Sequence, residues 1–535
     1  MNSSPLVLLV LAALALPSTA QNVRLSGPLA RAFPGGPIAG DVAYFLPPSS
    51  GLVVYLADQD VDGVAELYSA RLDGRGAPRR LTAALGTAGT VGNYATTSPD
   101  GTSVVFQHHS TGGVARLYAV SARGTTDPVL LDESADGAFP APFLVGAGGT
   151  RVVYRKGRAG HPGAYDLYSV PLDASDAPVR LNPAWPTLQH RPTVHELALA
   201  PDGATALFRA NPTEYLRMEL FAVPVDGSAP SLRLSGDLDL TSFRIAPDGR
   251  NVLYVGSGAT NAVGNLHTAA LDGGRPPEQL STVRPDGLVA EYQITSDGRR
   301  VVFNARRGVF LRYRLYSAPA DGRRPPIGVP GGSLRRAPLL LTPLGDDAEV
   351  LPGSLRLTPD GAQVVYLADA LVDGFHELYR VRTDGSSAPV PLDPPLAADE
   401  RVGSFEIAPE GAHLVYRVEA ASGPAGLFRI PVAGGAVLDY GARSVGDPVQ
   451  FQVAPDSLHV FFVAETGAGQ ELFAVPFDAS APPRRLNSPL PAGGGVSSSF
   501  VPLPGGRVLY VADQAEDDVF ELFEGFAGRT LPASR

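Results

Sequence analysis

The sequence predicts an all-β fold, a β-propeller of about ten four-stranded blades arranged as one large ring or two rings of about five. Three observations carry this reading. Glycine (60) and proline (51) exceed a fifth of the 535 residues, too turn-rich for a helical protein, while 44% hydrophobic content is too high for disorder. A strand–turn–strand motif recurs ten times at about fifty-residue spacing. The residues ahead of the first copy resemble the outermost strand that the last copy lacks.

The motif is an apolar strand, a Pro-Asp-Gly turn, then apolar residues ending in an aromatic. It reads Pro99-Asp100-Gly101 with Val104-Val105-Phe106, and Pro247-Asp248-Gly249 with Val252-Leu253-Tyr254. Another copy is Pro359-Asp360-Gly361 with Val364-Val365-Tyr366. The aromatic falls at positions 55, 106, 154, 208, 254, 303, 366, 416, 462 and 510. A second strand follows each, such as Glu66-Leu67-Tyr68 or Glu471-Leu472-Phe473; the fifth copy, Asn265-Leu266-His267, is degenerate. Asp-Gly often comes next, the strongest short hairpin signal because glycine accepts the positive φ such turns need. A short Arg-Leu strand closes the unit, as in Arg79-Arg80-Leu81. Four strands of ~5–6 residues with tight turns fill the period, and repeated four-stranded sheets bury their faces against one another as propeller blades. The aromatics are therefore expected in the inter-blade core.

The segment Asn22-Val23-Arg24-Leu25-Ser26 matches Pro483-Arg484-Arg485-Leu486-Asn487 and is expected to complete the last blade, removing an exposed sheet edge. A proline- and arginine-rich insertion around Arg323 to Arg336 reads as a surface loop, because the repeat resumes in phase. Two rings would divide near residues 275 to 290.

These repeats resemble the WD-like repeat of the TolB-type β-propeller family over nearly all of residues 21–535. The resemblance implies the propeller fold; its members serve as interaction platforms, sensor ectodomains and covers on peptidases.

Residues 1–20 read as a secretory signal peptide: the apolar run Leu6 to Leu16, about eleven residues, is too short to span a bilayer, and Ser18 and Ala20 suit cleavage before Gln21. Residues 21–535 form the repeat region, and no later segment is apolar enough to cross a membrane as a helix. The expected location is periplasmic or secreted.

Cysteine is absent, which excludes disulfides, zinc-thiolate sites and thiol nucleophiles. A net charge of −11 argues against nucleic acid as a partner. Neither the Gly-x-Ser-x-Gly elbow of α/β-hydrolases nor His-Glu-x-x-His occurs; His195-Glu196 and His376-Glu377 lack the second histidine. The sharpest local cluster is Asp58-Gln59-Asp60-Val61-Asp62-Gly63 with Glu66. Three carboxylates on a tight loop suit an oxygen-preferring cation, so Asp58, Asp60, Asp62 and Glu66 are the candidate calcium ligands, against the alternative of a solvated hairpin turn. No other cofactor and no catalytic residue is assigned. The expected function is an exported, monomeric, non-catalytic scaffold, not an enzyme, that binds a protein, peptide or glycan. The alternative is a channel-based hydrolase or lyase with dispersed catalytic residues.

Overall fold

The computed structural model describes residues 22–26, 44–45 and 51–528, apart from 61–63, 87–88, 135–138, 147, 186–190, 215–216, 259–263, 282–287, 307–311, 324–338, 343–348, 371–374, 393–395, 398, 421, 516 and 518. The signal segment, Asp62 and nearly all of the Arg323 to Arg336 insertion lie outside these residues.

Ten antiparallel sheets of four strands follow one another along the chain. Blade 2 shows the plan: an inner strand Gly89–Thr97, then Ser103–Ser110, Ala115–Ser121 and an outer strand Val129–Ser134. Inner strands wall the central channel. The expected core aromatics are the most buried side chains: Tyr55, Phe106, Tyr154, Tyr254 and Tyr366 are 0% exposed. Each faces a ring on the third strand directly across the ladder, with centroids 5.6 Å apart for Tyr55 and Tyr68 and 5.1 Å for Phe208 and Phe221. Such offset-stacked pairs add to the burial of the rings themselves. The fifth blade keeps the arrangement despite its sequence. His267 takes the ring position and stacks 5.5 Å from Tyr254, and burial pulls its pKa down to about 4, so a neutral imidazole does the packing.

A buried carboxylate at the start of the third strand repeats as well. Glu66 pairs with Arg80 and Glu471 with Arg485, both at 2.7 Å, and Asp166 pairs with Arg180 at 2.9 Å, in each case across 14 residues. In the last blade the same bond joins Arg24 to Glu521 at 2.8 Å across 497 residues. The amino-terminal strand Asn22–Arg24 thus pairs with Glu521–Phe526 as the fourth strand of blade 10. It also fills the gap to blade 1. Gly74, at φ +64°, sits where a Cβ would overlap Val23, just as Gly227 sits against Val179 of the preceding blade.

One ring, not two, follows from the cores between blades. Leu253 and Leu266 of blade 5 share a core with Val301 and Phe303 of blade 6, spanning the point where two rings would part. Leu509 and Leu522 of blade 10 pack on Val53 and Tyr55 of blade 1. Each successive pair of blades has such a core, so the chain closes as a single ten-bladed ring.

Candidate functional site

On every inner strand, one residue pairs with the position just before the core aromatic. In blades 5 to 9 this residue is Arg244 (opposite Leu253), Gln293 (Val302), Arg356 (Val365), Glu406 (Val415) and Gln452 (Phe461). A register shift precedes it in seven blades, an irregularity that re-aims side chains along a strand. Four of these side chains reach the next blade along the channel wall, while Arg356 donates to the Gly353 and Leu355 carbonyls of its own blade at 3.0 and 2.7 Å. Gln293 donates its amide to the Leu355 carbonyl and accepts from the Leu357 N–H at 3.1 Å. Glu406 accepts from the Val453 N–H at 3.0 Å, and Gln452 donates to the Phe500 carbonyl at 3.0 Å. Arg244 lies over the Tyr292 ring, 5.8 Å from its centroid.

One further carboxylate joins them. Glu291, two residues before Gln293, accepts from the Gly353 N–H at 2.6 Å. Burial raises the pKa of both Glu291 and Glu406; the backbone donors and the Arg356 guanidinium, which acts on both, only partly offset it. Two carboxyls that hold protons more tightly than usual therefore share one fixed cation. A carboxyl tuned upward is suited to proton donation, and a guanidinium beside it to holding negative charge on a bound molecule. On blade 4 the inner strand adds the exposed His195 and the half-buried Glu196, the latter paired with Arg209 at 3.2 Å.

A cavity of about 480 Å³ opens where blades 4, 5 and 6 meet, lined by Glu196, Leu199, Arg244, Ile245 and Gln293 among others.

The acidic hairpin is arranged differently from a bare carboxylate loop. Glu66 gives both oxygens to Arg80 and also accepts from the Thr82 hydroxyl. Asp60 meets the same guanidinium at 3.3 Å, while Asp58 is buried at 8% exposure. Arg80 thus gathers two of the four residues, Asp60 and Glu66, while Asp62 lies outside the described residues. No group of three or more potential metal ligands is found among the described residues.

The group of Glu291, Arg356 and Glu406 is not visible as a motif because its members lie 50 or more residues apart in three different blades. A signal was present: Arg244, Arg356, Glu406 and Gln452 each stand three residues before the proline of their turn. Gln293 holds the same place three residues before Ser296, and in blades 2, 3, 4 and 10 the column is small or apolar, as at Ala198.

The described residues define an all-β, ten-bladed propeller with charged groups on its channel wall. No protein-family model and no curated protein matches the sequence. Among solved structures, it is similar to the tricorn protease (11% identity, TM-score 0.34), covering 84% of this chain and 43% of that one. It is similar to prolyl endopeptidases (13%, TM-score 0.37; 68% and 53%) and to dipeptidyl peptidase 4 of Porphyromonas gingivalis (11%, TM-score 0.46; 78% and 64%). The chain thus spans less than two thirds of each of these proteins.

With peptidases standing among these similar structures, the expectation of a non-catalytic scaffold that is no enzyme is corrected. Its basis was the lack of a contiguous motif, and this fold instead assembles its polar groups from separate blades. At such identities no activity carries over from the neighbours; the chemistry rests on the chain's own residues.

Proposed function

We propose that the protein is a channel-based hydrolase, with Glu291 and Glu406 as its proton-transfer groups and Arg356 as the cation that orients a bound polar group. The observation that carries this reading is the pair of half-buried carboxyls, both with raised pKa and both acted on by one guanidinium from the blade between them. In the proposed step, one carboxyl gives a proton to the leaving group while a carboxylate on the same wall takes one from the attacking water. Peptides are the substrate class to try first, and glycans the second. The TolB-type kinship of the repeat belongs to the same proposal, supported by the in-phase Pro-Asp-Gly turns.

The test is hydrolysis of peptide and glycan pools by the full chain and by Glu291→Gln and Glu406→Gln. Each substitution is expected to lower the rate by about 10²–10⁴-fold, the usual worth of a general acid or base. Melting temperature should change little, since the amide keeps the shape and can still accept from the backbone N–H. Unchanged rates in both variants, or no hydrolysis of either pool, contradict the proposal.

Export is proposed alongside it, from the apolar run and small residues of segment 1–20. Mass spectrometry of the protein recovered outside the cytoplasm should give a chain beginning at Gln21. A mass that retains Met1 contradicts it.

A further inference from the structure

The channel wall has two unlike arcs. At the register that bears Arg244, Gln293, Arg356, Glu406 and Gln452 in blades 5 to 9, the other blades are small or apolar. Blade 10 has Val501 opposite Leu509, blade 2 Thr96 opposite Val105, blade 3 Leu144 opposite Val153 and blade 4 Ala198 opposite Leu207. Backbone pairing is the same throughout, so the fold does not dictate the contrast. In a ten-bladed ring the polar arc faces the apolar one, with Glu406 across from Leu144 and Gln452 across from Ala198.

The arcs meet between blades 4 and 5, and the 480 Å³ cavity lies at that junction. Its aliphatic lining includes Leu199, Ile245 and Ile294, and Arg244 stands among them. This guanidinium is held over the Tyr292 ring, and no carboxylate pairs with it among the described residues. Glu196, in the same cavity, is already paired with Arg209. An exposed, oriented and uncompensated cation beside aliphatic groups is complementary to an acidic side chain flanked by apolar ones.

We propose that the cavity is a binding site for an amphipathic peptide segment, with Arg244 anchoring an acidic side chain and the apolar arc taking the apolar side chains. This names a substrate class for the hydrolase reading and so rests on it. A peptide in extended form has the required geometry, because successive side chains point to opposite sides.

The experiment measures binding of labelled short peptides to the full chain by fluorescence anisotropy, and follows their cleavage in the same samples. The probes alternate leucine with glutamate, leucine with lysine, and serine with glutamate. The leucine–glutamate peptide is expected to bind at least about tenfold more tightly than the other two, in line with one charge-assisted hydrogen bond plus apolar burial. Arg244→Gln should remove that preference. Arg123→Gln, on an exposed turn of blade 2, loses the same charge and should keep it. Equal affinities for the three peptides, or an Arg244→Gln variant that binds as the parent does, overturns the proposal. Arg244-dependent binding without cleavage supports the site and counts against the hydrolase reading. Cleavage that ignores Arg244 supports the hydrolase reading and overturns the site.

Discussion

Deleting Gln21 to Leu29 is expected to destabilise the whole ring, not merely its edge. The strand Asn22–Arg24 is the outer strand of blade 10, and its removal exposes the ladder of Glu521–Phe526. It strips Glu521, whose side chain is 3% exposed, of its charge-assisted hydrogen bond from Arg24, an interaction worth about 1.5–3 kcal/mol. It also empties the site of Leu25, itself 3% exposed, where truncation of a buried leucine costs about 2–5 kcal/mol. The Leu522 N–H loses the Ser26 hydroxyl at 3.1 Å. Together these predict a fall of at least about 4 kcal/mol, read as a drop of several degrees in melting temperature and a shift to lower urea midpoint. Arg24→Ala should reproduce part of it. A truncated chain that melts with the parent contradicts closure by this strand.

The same seam should make stability depend on pH through Glu524. This residue is 0% exposed, faces blade 1 and forms an ion pair with Arg507, while its second oxygen has no hydrogen-bond partner among the described residues. Burial raises its pKa from an ordinary 4.5 to about 7; Arg507 opposes the shift and Asp73 across the seam adds to it. The folded state therefore holds a proton that the unfolded chain has released between these two values. The stability this contributes is complete below about pH 4.5 and is lost as pH rises to about 7. At 1.36 kcal/mol per pH unit, the change is about 3 kcal/mol. Glu524→Gln cannot release a proton, so the difference in unfolding free energy between variant and parent should grow in the variant's favour over that interval. Parallel curves for the two proteins rule out Glu524 as the source.

Much of the fold is legible in the chain because its turns and rings are local. Pro-Asp-Gly sets a tight turn between the first two strands of its blade, and an aromatic six residues after the aspartate lands in the blade core by strand alternation alone. Even the degenerate fifth copy obeys, since His267 fills the ring position as a neutral imidazole. The number of rings is not local. Ten similar blades are compatible with either closure, and only the packing of Leu253 on blade 6 and of Leu509 on blade 1 decides it.

The channel site was hidden for a different reason. Arg356 acts on Glu291 and Glu406, which lie in separate blades and read as unrelated surface charges in the chain. The acidic hairpin stands out in the chain because its carboxylates lie within nine residues; what the sequence did not show is that Arg80, from the outer strand of the same blade, meets Asp60 and Glu66.

Hydrogen exchange of the full chain, with and without the leucine–glutamate peptide, tests most directly whether the channel is where this protein works. Added protection is predicted on the inner strands Val194–Leu199, Asp239–Ile245 and Val289–Ile294, with the outer strands Leu232–Arg233 and Glu278–Gln279 unchanged. Protection confined to the outer strands or to the Asp-Gly turns would place the working surface on the rim and contradict a channel site.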